Sequence, residues 1–145
     1  QKRDKVAFVT FRDEGAQLVM PFTSSLTLAA KKLMEVPTGG KTPLAAGIKR
    51  GLEVLRSEIN RNPHEYPIMM LVSDGRANVP IRGKIGAEIR RLAERIRKEG
   101  IHLVIIDSED GFLKVGYNDL IEEIAGGERY KLDELRSKNF RSYYR

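Results

Sequence analysis

Residues Ile68 to Asn78 read Ile-Met-Met-Leu-Val-Ser-Asp-Gly-Arg-Ala-Asn, an unbroken apolar stretch that stops abruptly at a carboxylate followed by glycine. A run with no polar alternation predicts a strand buried on both faces, as in a parallel sheet covered by helices. Asp74 then falls at the carboxyl end of that strand. In open α/β sheets this edge collects ligands, because the loops there surround a crevice and carry the polar groups. One acidic side chain therefore stands where metal binding or chemistry is expected.

The flanking segments supply the rest of an α/β pattern. Lys5 to Phe11 and Gln17 to Phe22 are two short apolar runs around a polar turn ending in Gly15, which predicts a hairpin, with Pro21 assigning the second strand to an edge. Ser24 or Ser25 is placed to cap a helix carrying Leu26, Ala29, Ala30 and Leu33 and ending before Pro37. After the loop Thr38-Gly39-Gly40-Lys41-Thr42, Pro43 suits a first helical position, and Leu44, Ile48, Leu52, Leu55 and Ile59 continue with helical period to the break at Asn62-Pro63. Ile85, Ile89, Leu92 and Ile96 form the stripe of a further helix stopped by Gly100. Ile101 to Ile106 is another strand. Asn118 is expected to cap a short helix through Leu120, Ile121 and Ile124, before a short last strand at Arg129 to Leu132. This order predicts a mostly parallel sheet between helical layers.

At 145 residues the chain is the size of one domain with one core. No stretch approaches the roughly 18 apolar residues of a membrane span, and no charged-then-apolar leader is visible, so a cytoplasmic protein is expected. Cysteine is absent, and His64 and His102 lack a zinc-type spacing, so a bound metal would be held by oxygen. The net charge of +6 concentrates in Arg82 to Lys98 and Lys131 to Arg145. The first is the outer face of an amphipathic helix, and the second ends in a frayed aromatic and basic tail. Nucleic acid is a minor reading of both.

Several catalytic motifs fail on inspection. Gly40-Lys41-Thr42 resembles the end of a phosphate loop, but the motif needs glycine at position 35, where Glu35 stands, and it follows a strand rather than a helix. Ser73 is not a nucleophile elbow, because position 71 is Leu71. Asp107, Glu109 and Asp110 follow the other buried strand and read as a solvated loop more readily than as a cation site. Thr42 and Asp74 remain. Both lie at one sheet edge if the fold is doubly wound, and a hydroxyl with a carboxylate suits magnesium. The same pair serves equally well in helix capping and loop hydrogen bonding.

Val6 to Phe11, Thr38-Gly39-Gly40-Lys41-Thr42-Pro43-Leu44-Ala45 and Val72-Ser73-Asp74-Gly75-Arg76-Ala77-Asn78 together resemble a von Willebrand factor A-type (VWA) domain. The resemblance is closest to the domain at the end of the D subunit of magnesium chelatase and related cobalt chelatases. It implies a three-layer, doubly wound, mostly parallel, Rossmann-like fold with a metal-ion-dependent adhesion site on three loops. The first loop carries D-x-S-x-S, the second a threonine matched by Thr42, and the third an aspartate matched by Asp74. Gly39, Gly40, Ser73, Gly75 and Arg76 would support these loops or meet the partner. A partner carboxylate commonly completes the Mg²⁺ shell, so the implied role is binding rather than catalysis.

D-x-S-x-S does not occur in these residues, and the chain starts just before what resembles the family's second strand. The expectation is therefore a VWA fold lacking its first strand and helix, a partial domain over 1–135 with a tail over 136–145. In the family's strand order the missing strand lies between the strands at Val6 to Phe11 and Ile68 to Val72. Buried backbone groups must be paired, so either these two strands pair directly or a second chain supplies the pairing, with self-association through exposed strand edges. Mg²⁺, a cofactor of the intact domain, is expected to bind this chain weakly or not at all.

The function implied is a protein-interaction module of an AAA+ magnesium or cobalt chelatase, supporting ATP-driven metal insertion into a tetrapyrrole. Its expected partners are the chelatase catalytic subunit and the AAA+ ATPase subunit, and the module itself would not be an enzyme. A partner of another AAA+ ATPase outside tetrapyrrole synthesis is one alternative. A metal-assisted hydrolase at Asp74 and Asp107 is an alternative of another class.

Overall fold

A computed structural model describes residues 5–12, 15–25, 27, 28, 31, 42–77, 79–108 and 116–132. Within these, α-helices and a parallel sheet alternate as the apolar periodicity predicts, and the class is α/β. The chain divides into two compact units, residues 1–65 with 77–88 and residues 66–76 with 89–145.

The first unit is built on a hairpin. Strand β1 (Val6–Arg12) pairs antiparallel with β2 (Gly15–Thr23), from Arg12 opposite Gly15 to Val6 opposite Thr23, with the register shifting at Phe8. Ser25 begins a helical stretch as expected, its Oγ accepting the Leu28 N–H at 3.2 Å, the bond of an N-cap to the third helical residue. The stripe predicted at Leu26, Ala29, Ala30 and Leu33 lies outside the described residues. Helix α1 (Leu44–Arg61) packs on the hairpin, and its Leu44, Ala45, Ile48 and Leu52 are buried. Pro43 stands one position ahead of where it was expected, as the residue before the helix, and its carbonyl accepts the Gly47 N–H at 3.0 Å.

Two buried carboxylates brace this unit, and periodicity gave no sign of either. Glu58 of α1 accepts from Lys5 Nζ and from Asn62 Nδ2, each at 2.9 Å. The hydrogen bond to Lys5 lowers the Glu58 pKa against the opposing effect of burial. Glu88 takes backbone N–H groups of Ile81, Arg82 and Gly83 at 3.1 to 3.3 Å and so folds the preceding loop over itself. It lies in the first turn of helix α2 (Ile85–Lys98), where the exposed backbone N–H groups favour negative charge.

In the second unit, β3 (Ile68–Ser73), β4 (His102–Asp107) and β5 (Glu128–Lys131) form a parallel sheet in the order β3-β4-β5. Ile89, Leu92, Ala93 and Ile96 of α2 are buried, as is Ile121 of helix α3 (Asn118–Ala125). Beyond α2 the Ile101 N–H reaches the Ile96 carbonyl at 3.1 Å and Gly100 N–H the Arg97 carbonyl at 3.1 Å, a Schellman closure at the predicted stop.

Two expectations are corrected here, the cover of the central strand and the place of Asp107. The central strand is not covered on both faces: Met69, Leu71 and Ser73 are buried, but Ile68, Met70 and Val72 are 51%, 63% and 55% exposed, and Tyr66 continues the row at 71%. Strand geometry puts these alternate residues on one face. Among the described residues β1 pairs with β2 and β3 with β4, so of the two pairings expected for the strands at 6–11 and 68–72 the direct one is not among these ladders, and pairing by a second chain stays an expectation. Asp107 is not in a solvated loop. It ends β4 with its side chain fully buried.

Candidate functional site

Parallel pairing of β3 with β4 sets Ser73 opposite Asp107, so Asp74 and Asp107 occupy the carboxyl ends of neighbouring strands. Ser73 is buried and its Oγ accepts the Gly75 N–H at 2.9 Å. Asp74 Oδ1 accepts the Arg76 N–H at 2.9 Å, while Oδ2 lies 3.8 Å from Arg76 Nε. These short-range bonds wrap the chain into a tight turn of the kind that Ser and Asp side chains favour. The Asp74 side chain is left 39% exposed.

A second segment holds this turn from outside. The Tyr117 N–H donates to the Gly75 carbonyl at 2.7 Å, and Asn118 Nδ2 donates to the Ser73 carbonyl at 3.0 Å. Backbones approach so closely here that a Cβ on Gly116 would lie 2.8 Å from the Gly75 carbonyl carbon and oxygen. Gly75 itself has φ +82°, a conformation that only glycine adopts readily, and a side chain there would also press on Asn118. Asn118 was expected to cap α3. It is instead the helix's first residue, behind Tyr117, because its amide finds a tertiary partner in the carbonyl of Ser73.

Asp107 has different company. Arg129 Nε donates to its Oδ2 at 3.1 Å, and Lys131 Nζ stands 3.6 Å away. The same guanidinium reaches Asp119 and Glu122 of α3. Burial would lower the Arg129 pKa, but its bonds to Asp119 and Asp107 outweigh that and raise it. A carboxylate enclosed with two cations is already neutralised, so the pairing of Asp74 with Asp107 as a hydrolytic metal site does not fit.

The remaining predicted residues are placed as follows. Ser73, Asp74, Gly75 and Arg76 come together in the turn after β3. Thr42 is half-buried immediately ahead of Pro43, in the other compact unit. Gly39 and Gly40 lie outside the described residues, as do Glu109, Asp110 and the basic tail from 133 onward. His102 is half-buried within β4, its ring centroid 6.2 Å from that of Tyr66, with Glu128 3.7 Å from Nε2, an environment of packing rather than catalysis. Arg82 and Lys84 ahead of α2 and Arg90, Arg91, Arg97 and Lys98 along it are exposed, as a solvated face requires.

Mg²⁺ is content with one or two carboxylates and several waters at octahedral positions. The Asp74 carboxylate, exposed and fixed at one oxygen, fits one such ligand. Among the described residues no three His, Cys, Asp or Glu side chains cluster as a metal cage, so the donor set at this turn is partial. None of the helices among the described residues is long and apolar enough to cross a membrane.

Comparison with known proteins places this geometry in context. The family model of the von Willebrand factor type A domain matches residues 1–142. An uncharacterized protein of Methanocaldococcus jannaschii is 40% identical over 136 residues, covering 93% of this chain and 78% of that protein. The magnesium-chelatase 67 kDa subunit of Heliobacterium mobile is 33% identical over 141 residues, covering 92% of this chain but only 21% of the subunit. The chain thus spans about a fifth of that chelatase relative. Among solved structures, the SpRpn10 VWA domain superposes with a TM-score of 0.67 at 14% identity, over 88% of this chain and 64% of that one. At that identity the likeness is one of fold.

Proposed function

The chain belongs to the von Willebrand factor type A domain family, and from that premise we propose that it is the protein-interaction module of a D-type subunit in an ATP-driven magnesium or cobalt chelatase. In this reading Asp74 is a ligand of a Mg²⁺ ion that bridges to a carboxylate of the partner, the porphyrin-binding catalytic subunit or the ATPase ring. The observation that carries the proposal is the Asp74 turn. Its carboxylate is held by one backbone bond and left open to solvent at the carboxyl edge of a parallel sheet. The identity with a magnesium-chelatase subunit over most of the chain supports the choice of complex.

The open face of β3 supports the further proposal that the working domain has another strand and helix beside it. A parallel sheet is ordinarily covered on both faces. Fully burying an Ile, Met or Val side chain is worth roughly 1.5–3 kcal/mol, so three half-open side chains forgo on the order of 1 kcal/mol each. An added strand would pair the edge of β3 that has no neighbour among the described residues, and its helix would cover Ile68, Met70 and Val72. D-x-S-x-S on that strand's loop would complete the metal shell, and without it Mg²⁺ binding is weak.

The test is Mg²⁺-dependent binding to the chelatase catalytic subunit, followed by surface plasmon resonance with and without EDTA. Asp74→Ala should weaken binding at least tenfold and abolish the EDTA effect. Binding that ignores both changes would defeat the proposal. The Methanocaldococcus relative favours a second reading, because this chain already covers 78% of it and leaves little length for an ATPase domain in the same polypeptide. There the module would meet an AAA+ ATPase as a separate chain, outside tetrapyrrole synthesis.

A further inference from the structure

We infer that Asn118 is a positioning residue for the Asp74 carboxylate, gripping the turn that carries it from the start of α3. This rests on the reading of Asp74 as a metal ligand and adds to it a residue outside the loops that supply ligands. The argument begins with burial. Asn118 is 2% exposed and is the first residue of its helix, one position past the cap at which an asparagine side chain bonds the backbone N–H groups of the first turn. Instead its Nδ2 crosses to the carbonyl of Ser73, the last residue of β3. Its Oδ1 is buried with no hydrogen-bond partner among the described residues. Burying an acceptor unpaired is costly.

The placement gives that amide leverage. Ser73, Asp74 and Gly75 are fixed to each other only by short-range bonds within the turn. The Ser73 carbonyl, in the peptide plane just before Asp74, accepts from Asn118 Nδ2 and, at 3.2 Å, from the Ser108 N–H, while the plane just after Asp74 is held by the Gly75 N–H on Ser73 Oγ. Peptide planes clamped before and after a residue fix the direction of its Cα–Cβ bond, and hence where the carboxylate points. Groups that hold metal-binding side chains commonly change metal affinity by tenfold or more when removed, orientation of the ligand being one of the causes. Of the bonds that reach this turn from outside, that of Asn118 is made by a side chain and is released by truncating it, whereas those of Ser108 and Tyr117 are made by backbone.

The experiment uses Mn²⁺, an octahedral oxygen-seeking ion whose paramagnetism broadens nearby amide signals, titrated into the ¹⁵N-labelled protein. Wild type should show broadening centred on Gly75 and Arg76. Asn118→Ala and Asn118→Ser should both raise the apparent Kd for Mn²⁺ five- to tenfold; serine keeps a residue suited to a helix start but is too short to reach Ser73. Ile121→Val, buried in the same helix, is the structural control and should lower Tm with Kd unchanged within twofold. If both Asn118 variants behave like Ile121→Val, losing Tm but keeping the wild-type Kd, the inference is overturned. Asp74→Ala separates the two layers. If it leaves broadening and Kd unchanged, the reading of Asp74 as ligand fails, whereas loss of binding in Asp74→Ala with wild-type affinity in the Asn118 variants defeats the positioning role alone.

Discussion

The turns at the ends of β3 and β4 begin from the same local sequence pattern, an apolar parallel strand closing on an aspartate, and reach opposite ends. Asp74 is 39% exposed and bonded to the backbone of its own turn. Asp107 is fully buried and enclosed by Arg129 and Lys131. What separates them is the neighbour on the far side of the sheet. β4 lies beside β5, whose register sets Ile105 against Arg129 and Asp107 against Lys131. β3 has no strand beyond it among the described residues, so no cation is delivered to Asp74 from a ladder. A carboxylate at a strand end thus becomes structural or available according to its lateral partner, not its own sequence context.

The largest expected effect breaks the structural half of this contrast. Arg129→Ala removes the main partner of a buried carboxylate and should destabilise the protein by about 3–5 kcal/mol, the usual consequence of stranding a buried charge. Asp107→Asn should be milder, roughly 2 kcal/mol, because Arg129 keeps Asp119 and Glu122. Urea titration of both variants checks the order. Equal or reversed losses would mean that Lys131 alone suffices for Asp107.

Asp74→Ala sharpens the other half. It deletes one exposed hydrogen bond to Arg76 and a loose ion pair, so stability should fall by no more than about 0.5–1 kcal/mol while Mg²⁺-dependent partner binding is lost. A stability loss as large as that of Arg129→Ala would show that Asp74 is another structural carboxylate. In that case the distinction between the two strand ends disappears.

The elements themselves were legible because each depends on nearby residues. Apolar spacing in α1 and α2, the breaks at Asn62-Pro63 and Gly100, and the polar turn of the hairpin all act within a few positions. The Asp74 turn was legible for the same reason, since Ser73 and Asp74 close it through bonds two residues long. What failed depended on distance along the chain. Met70 and Val72 are as apolar as Leu71, and no pattern within β3 says whether its second face has a cover. Asn118 carries the local chemistry of a cap, and only the fold brings it to Ser73, 45 positions earlier. Asp107 looked like part of a solvated loop because Arg129 stands 22 positions downstream.

A third carboxylate gives the smallest effect and the one most easily separated by pH. Glu58 is buried like Asp107, but its cation, Lys5, is 38% exposed, so solvent and salt screen the pair. The bond to Lys5 lowers the Glu58 pKa from its ordinary 4.5, and the bond to Glu58 raises that of Lys5 from 10.5. A lowered carboxylate contributes stability that is present above its unfolded pKa and lost as pH falls through the folded value; a raised lysine contributes stability present below its unfolded pKa and lost as pH rises through the folded one. The pair therefore acts fully between about pH 4.5 and 10.5 and fades on both sides. Lys5→Gln should lower Tm slightly at pH 7, with the difference from wild type shrinking below about pH 4 and in high salt. Thermal melts of both proteins at pH 3.5 and 7, in low and high salt, test this. A difference independent of pH and salt would mean that Lys5 stabilises by packing its aliphatic stem, leaving Glu58, like Asp107, to be judged by its remaining buried partners.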